Sequence, residues 1–132
     1  MIDHLSTYAT DFAATRRFYE ATLAELGYGI QAEMTLDADP QLPGRRCCAF
    51  GPAGRAVLWV IETREPSSPR HVAFTAEDRP AVDAFHRAGL TSGGRDHGAP
   101  GLRPIYHEHY YGAFVIDPDG NNVEAVCHAP VP

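Results

Sequence analysis

No stretch of this sequence approaches the run of about eighteen apolar residues that a membrane-spanning helix requires. Positive charge is also scarce: eleven Lys plus Arg face seventeen Asp plus Glu, a net charge of −6. A chain without excess cations has little with which to neutralise phosphates, so neither nucleic acid nor a membrane is expected as a partner. Cysteine is limited to Cys47, Cys48 and Cys127. Three residues so spaced make neither an even disulfide framework nor a zinc motif, and reduced thiols are the expectation. The opening MIDHLSTYATD has no basic segment followed by an apolar one, which predicts a mature cytoplasmic protein. What remains is ordinary globular composition, 44% hydrophobic and 21% charged over 132 residues. That length fits one domain with a real core.

Within that domain the sequence repeats itself. HLSTYATDFAATRRFYEATLAELG, from His4, aligns with HVAFTAEDRPAVDAFHRAGLTSGG, from His71, at a constant shift of 67 residues. The shift carries Asp11 onto Asp78, Phe18 onto Phe85 and Gly27 onto Gly94. Each copy reads as a short strand, an acidic N-cap, a helix and a glycine stop. Phe12, Tyr19, Leu23 and Leu26 fall at helical spacing in the first copy, and Val82, Phe85 and Gly89 in the second, where Pro80 fits the first turn. YGIQAEM, RRCCAF and RAVLWVIE follow the first helix as strand candidates separated by turn residues. After the second helix, GGRDHGAPGLRPIYHEHY is mostly loop with one short strand, and YGAFVID and NNVEAVC form a hairpin about the PDG turn. The expectation is one domain, residues 1–132, of two βαβββ modules: about 1–64, a linker at about 65–69, and about 70–128.

Side chains alternate along a strand, so Asn122, Glu124 and Val126 share one face of NNVEAVC, while Val123, Ala125 and Cys127 share the other. His4, Ser6 and Tyr8 share a face of the first strand, as His71, Ala73 and Thr75 do on the repeated one. The polar residues thus gather on one set of positions.

Paired βαβββ modules, a histidine on the first strand of each, and a closing DPDGN-x-hydrophobic-E strand resemble the vicinal oxygen chelate superfamily, the glyoxalase, bleomycin-resistance and extradiol-dioxygenase group. The resemblance covers essentially the whole chain, and DPDGNNVE is its most specific part. It implies an α+β fold: a curled, partly open mixed sheet with helices on the convex side. His4, His71 and Glu124 match the family's ligand positions and imply one divalent ion per site, of Mn, Fe, Ni, Co or Zn. Two imidazoles and a carboxylate leave the remaining positions of an octahedron to water or a chelating substrate. Many members take a fourth ligand from the last strand of the first module, but the equivalent position here is Val57. Glu62, the nearest carboxylate, has the wrong strand parity unless a bulge intervenes. Three protein ligands weaken a glyoxalase I assignment.

In GLRPIYHEHYYGAF, just before the strand that pairs with the Glu124 strand, Tyr106, His109 and Tyr111 are candidate general acids or bases. His107 is a candidate ligand contact there. Arg103 suits an anionic group, Trp59 suits a cavity wall, and His97 and His128 read as loop or terminal residues. Two functions follow: a small metalloenzyme acting by chelation on a compact oxygen-rich substrate, as lyase, isomerase, transferase or dioxygenase; or a non-catalytic dimeric drug- or metabolite-binding protein of the bleomycin-resistance type. Either is expected to be a homodimer binding a small molecule.

Overall fold

The computed structural model describes residues 1–131. In chain order the elements are β1 (Leu5–Ala9), α1 (Phe12–Ala24), β2 (Gly29–Leu36), β3 (Arg45–Gly51), β4 (Leu58–Glu62), β5 (His71–Thr75), α2 (Arg79–Thr91), β6 (Arg95–Leu102), β7 (Tyr111–Ile116) and β8 (Asn122–Cys127). Both predicted helix starts are real. Asp11 accepts from the backbone N–H of Ala14 at 3.1 Å and Asp78 from that of Ala81 at 2.9 Å, each satisfying a donor left free in the first turn. The helices end at equivalent positions, Ala24 and Thr91, but the left-handed glycine comes one residue earlier in the second module than the repeat implies. Gly93, at φ 99°, takes the left-handed turn, while Gly94 lies so close to Val115 and Phe18 that a Cβ there would meet them at 2.5 and 2.6 Å.

Each module builds a four-stranded mixed sheet, ordered β1-β4-β3-β2 and β5-β8-β7-β6. In both, the first strand runs parallel to the last, and the other pairs are antiparallel. Within the segment read as mostly loop with one short strand, that strand is β6, eight residues long, and its pairing with β7 is interrupted by register shifts around Gly98. Those interruptions erase the period-2 signal that would have marked its full length.

Helix α1 packs on β2, β3 and β4, helix α2 packs on β6, β7 and β8, and the helices pack on each other. The helical layer thus lies between the two sheets, and the opposite face of each sheet turns away from it. Phe18, Tyr19, Phe50, Leu58, Phe85 and Val115 belong to a single buried core spanning both modules. Among the described residues no helix is long and apolar enough to cross a membrane.

Polar contacts at the β7–β8 turn fasten one module to the other. The buried Asp117 carboxylate accepts from the Tyr19 hydroxyl of α1 at 2.5 Å, and from Asn121 through its backbone N–H at 2.9 Å and its Nδ2 at 2.8 Å. Asn121 Nδ2 also donates to the Thr7 hydroxyl of β1 at 3.2 Å, and Asp119 accepts from the Thr10 hydroxyl at 2.7 Å. Burial, with the Asp117 charge behind it, pushes the Tyr19 phenol well above the usual tyrosine range. The folded state therefore keeps a proton that the unfolded chain releases near pH 10. Stability from this group is complete below about pH 10 and is lost as pH rises further. Urea unfolding should show stability falling above about pH 10, with a shallower fall in Tyr19→Phe; equal slopes would remove Tyr19 as the source.

Candidate functional site

On β8, Glu124 occupies the sheet face turned away from the helices, paired across to Ala73 of β5 and Phe114 of β7. It is only 2% exposed. A buried carboxylate is costly unless its oxygens are engaged, and both are. Oε2 lies 3.1 Å from Nε2 of His71, and Oε1 accepts from the Tyr110 hydroxyl. Gly112 helps to make the room, since a Cβ there would come within 3.2 Å of both Glu124 Oε1 and the Tyr110 ring.

His71 is oriented from its other side. Its Nδ1 lies 3.1 Å from the carbonyl of Asn122, an acceptor only, which assigns the Nδ1 proton to that bond. Nε2 and Glu124 Oε2 then face each other with lone pairs, and a cation must sit between them, either a proton or a metal ion. The donor types, one imidazole nitrogen and one carboxylate oxygen, suit a divalent transition metal. Their 3.1 Å separation is a spacing that two ligands each about 2.1 Å from one ion adopt. An imidazole whose second nitrogen is held by a backbone carbonyl is also the usual form of a metal-ligating histidine.

The loop ahead of β7 reaches the Glu124 side of this pair through Tyr110. The Tyr110 ring is bracketed by Tyr106 at 4.8 Å, His107 at 5.5 Å and His128 at 5.3 Å between centroids. His107 accepts the backbone N–H of His109 at Nδ1, so its Nε2 donates to Nδ1 of His128 at 2.8 Å, tying the loop to the C-terminal segment. Burial first, and then the hydrogen bond to Glu124, raise the Tyr110 phenol far above its ordinary range. Beside the pair lies a shallow recess of about 370 Å³ lined by His97, Gly98, Arg103, Tyr106, Phe114 and Asn122.

The remaining candidates are distributed unevenly. His4 is half exposed and pairs with Asp3 at 2.6 Å, and among the described residues no three His, Cys, Asp or Glu side chains gather as a metal would need. Tyr111 has the opposite strand parity from Glu124; its hydroxyl donates to Asp83 of α2 at 2.7 Å, on the helix side. His109 pairs with Glu108 at 3.3 Å. Trp59 is half-buried on the outward face of the first sheet, level with Ser6 and Ala49. Glu62 is held by Arg46 at 2.6 Å, which lowers its pKa. Burial keeps the Cys48 thiol protonated, with its pKa pushed up to about 11. Tyr110 is a site residue given no role by sequence reasoning, which places Asn122 on the Glu124 face without a function and reads His128 as a loop or terminal residue. Pairing Phe114 with Glu124 supplies the missing signal, since Tyr110, Gly112 and Phe114 then fall on the carboxylate's face.

Tyr110→Phe removes the donor to a buried carboxylate and should cost about 1–3 kcal/mol of stability. Much of that loss should disappear when Glu124→Gln is added, giving a coupling above about 0.5 kcal/mol in a denaturation double-mutant cycle. Additive effects would show that the contact carries no stability.

A family model described as the glyoxalase/bleomycin resistance protein/dioxygenase superfamily matches residues 1–125. A glyoxalase/bleomycin resistance protein from Albidiferax ferrireducens T118 superposes with a TM-score of 0.70 at 26% identity, covering 96% of this chain and 97% of that one. Lactoylglutathione lyase from Agrobacterium tumefaciens superposes at 0.64 with 22% identity, over 96% of this chain and 92% of that one. A V278E mutant of glyoxalase I from Zea mays gives 0.70 at 21% identity; 95% of this chain covers 45% of it. No curated protein matches the sequence. With the matched model spanning nearly its whole length, the chain belongs to the glyoxalase/bleomycin resistance protein/dioxygenase superfamily.

Proposed function

We propose that the protein is a metal-dependent enzyme of this superfamily, acting on a compact oxygen-rich substrate that chelates a divalent ion held by His71, Glu124 and a third ligand, His4. The observation that carries this is the contact between His71 Nε2 and the buried Glu124 Oε2, with His71 Nδ1 already committed to a carbonyl. His4 lies apart from that pair within one chain. The third ligand is therefore the partner subunit's His4, in a homodimer that sets β1 of one copy against β5 of the other. Both strands are outermost in their sheets, with one edge unpaired, which suits this assembly. When bound, the ion supplies a Lewis acid to adjacent substrate oxygens. His71 and Glu124 hold it, Tyr110 keeps a proton at Glu124 Oε1, and the loop from Arg103 to Tyr110 limits water. The reaction belongs to the lyase, isomerase, transferase or dioxygenase types.

The lack of three gathered ligands within the chain favours a second reading, a metal-free dimeric binding protein of drugs or metabolites. Mn²⁺ or Ni²⁺ calorimetry separates the two. Wild type should bind about one ion per site, and His4→Ala, His71→Ala and Glu124→Ala should each weaken binding at least tenfold. Mixing the refolded His4→Ala and His71→Ala proteins should restore binding, because one site of each mixed dimer is then intact. No recovery on mixing would refute the shared site, and no binding by wild type would favour the second reading.

Strand register makes Trp59, not Val57, the counterpart of Glu124; with both apolar and Glu62 engaged by Arg46, the described residues of the first module offer no second carboxylate to share proton transfer. The metal-loaded protein should isomerise the hemithioacetal of methylglyoxal and glutathione poorly. Robust turnover, lost in Glu124→Ala, would identify a ligand not counted above.

A further inference from the structure

The recess next to the His71–Glu124 pair holds a charge with no ion-pair partner among the described residues. Arg103 is half-buried, yet among the described residues no carboxylate lies within 4.0 Å of its guanidinium. Neutral groups hold it instead. Nη1 donates to the carbonyls of Gly101 at 2.9 Å and Leu102 at 3.5 Å, Nη2 donates to that of Ala99 at 2.7 Å, and the guanidinium lies over the Phe114 ring at 5.5 Å. Of its five N–H donors, Nε–H and one on Nη2 have no protein acceptor. In a protein of net charge −6, a fixed cation left without a counter-ion beside a cavity is a binding feature.

A second observation comes from another residue of the lining. Asn122 Oδ1 is buried and has no hydrogen-bond partner. A buried carboxamide oxygen left empty costs stability unless something donates to it. Asn122 is also the residue whose carbonyl orients His71, and it shares the Glu124 face of β8. Phe114 joins these parts: one ring carries Arg103 and also stacks on His71 at 6.2 Å. Gly98 lets β6 approach, since a Cβ there would reach 2.8 Å from Phe114 and 3.3 Å from Arg103.

We infer that this recess is an oxyanion subsite: Arg103 takes a carboxylate or phosphoryl group of the ligand, and Asn122 Oδ1 accepts a hydrogen bond from a neighbouring hydroxyl. The substrate class is then a small hydroxylated oxyanion whose other oxygens reach towards His71 and Glu124. This rests on the proposed metal function for the chelating end of the ligand, not for its anionic end.

The test uses metal-free protein, so it stands or falls apart from metal binding. Chemical-shift titrations with glycolate, acetate, neutral glycolamide and inorganic phosphate read the recess directly through Phe114, Asn122 and Gly98. Glycolate should bind more tightly than either acetate or glycolamide. Arg103→Gln should weaken glycolate about tenfold or more and leave glycolamide unchanged, while Asn122→Leu should abolish the preference for glycolate over acetate. Melting temperatures near wild type confirm that both variants fold; if Asn122→Leu does not fold, the Arg103→Gln comparison decides. Tighter phosphate binding that is lost in Arg103→Gln upholds the subsite and assigns it to phosphoryl groups. Equal affinity for glycolate and glycolamide, or unchanged glycolate binding in Arg103→Gln, overturns the inference.

Discussion

The Asp117 carboxylate holds the architecture together. It is 3% exposed and accepts from a hydroxyl of α1, two backbone N–H groups and a side-chain amide. A buried charge survives only when its lone pairs are filled in this way. The same contacts fix the turn from which β8 starts, so Asn122 and Glu124 inherit their positions from a cross-link to the other module. Substitutions at Tyr19 or Thr7, in the first module, therefore act on the site of the second.

Fold was more legible than site. The 67-residue repeat, the Asp11 and Asp78 caps and the DPDGN turn are local signals, and each marks the element it predicts. β6 was legible only in part, because its register shifts break the alternation that reveals strands. In the site, parity alone places Glu124 and His71 on corresponding faces. Tyr110 needed the register of β7 against β8, which depends on pairing between strands and cannot be seen along one. His4 illustrates a different limit. A sequence repeat says that two strands are equivalent, but not whether the two copies in one chain are the pair that meet.

The equivalence of the modules is structural rather than chemical. By strand register Glu124, level with Ala73, corresponds to Trp59, level with Ser6, so the outward face of β8 carries Asn122 and Glu124 where the first module has Val57 and Trp59. The second module carries a carboxylate, an imidazole oriented by a backbone carbonyl and a cation, whereas the corresponding face of the first carries the apolar Val57 and Trp59. Such a division suits a cavity with a polar, reactive floor and a hydrophobic side.

The clasp also sets how the chain spends its entropy. Its contacts join residues 98, 109 and 114 positions apart. Closing so long a ring is less costly than it looks, because each doubling of length adds only about 0.6 kcal/mol. Once both modules have formed, the connection between Glu62 and His71 is the short covalent link that joins them. A tether that short keeps the Asp117 turn and Tyr19 at an effective concentration on the order of millimolar. A second chain at ordinary cellular concentration cannot compete for that clasp, whereas it meets no such rival at the unpaired edges of β1 and β5. Tether length thus decides which contacts stay within a molecule and which are left for a neighbour.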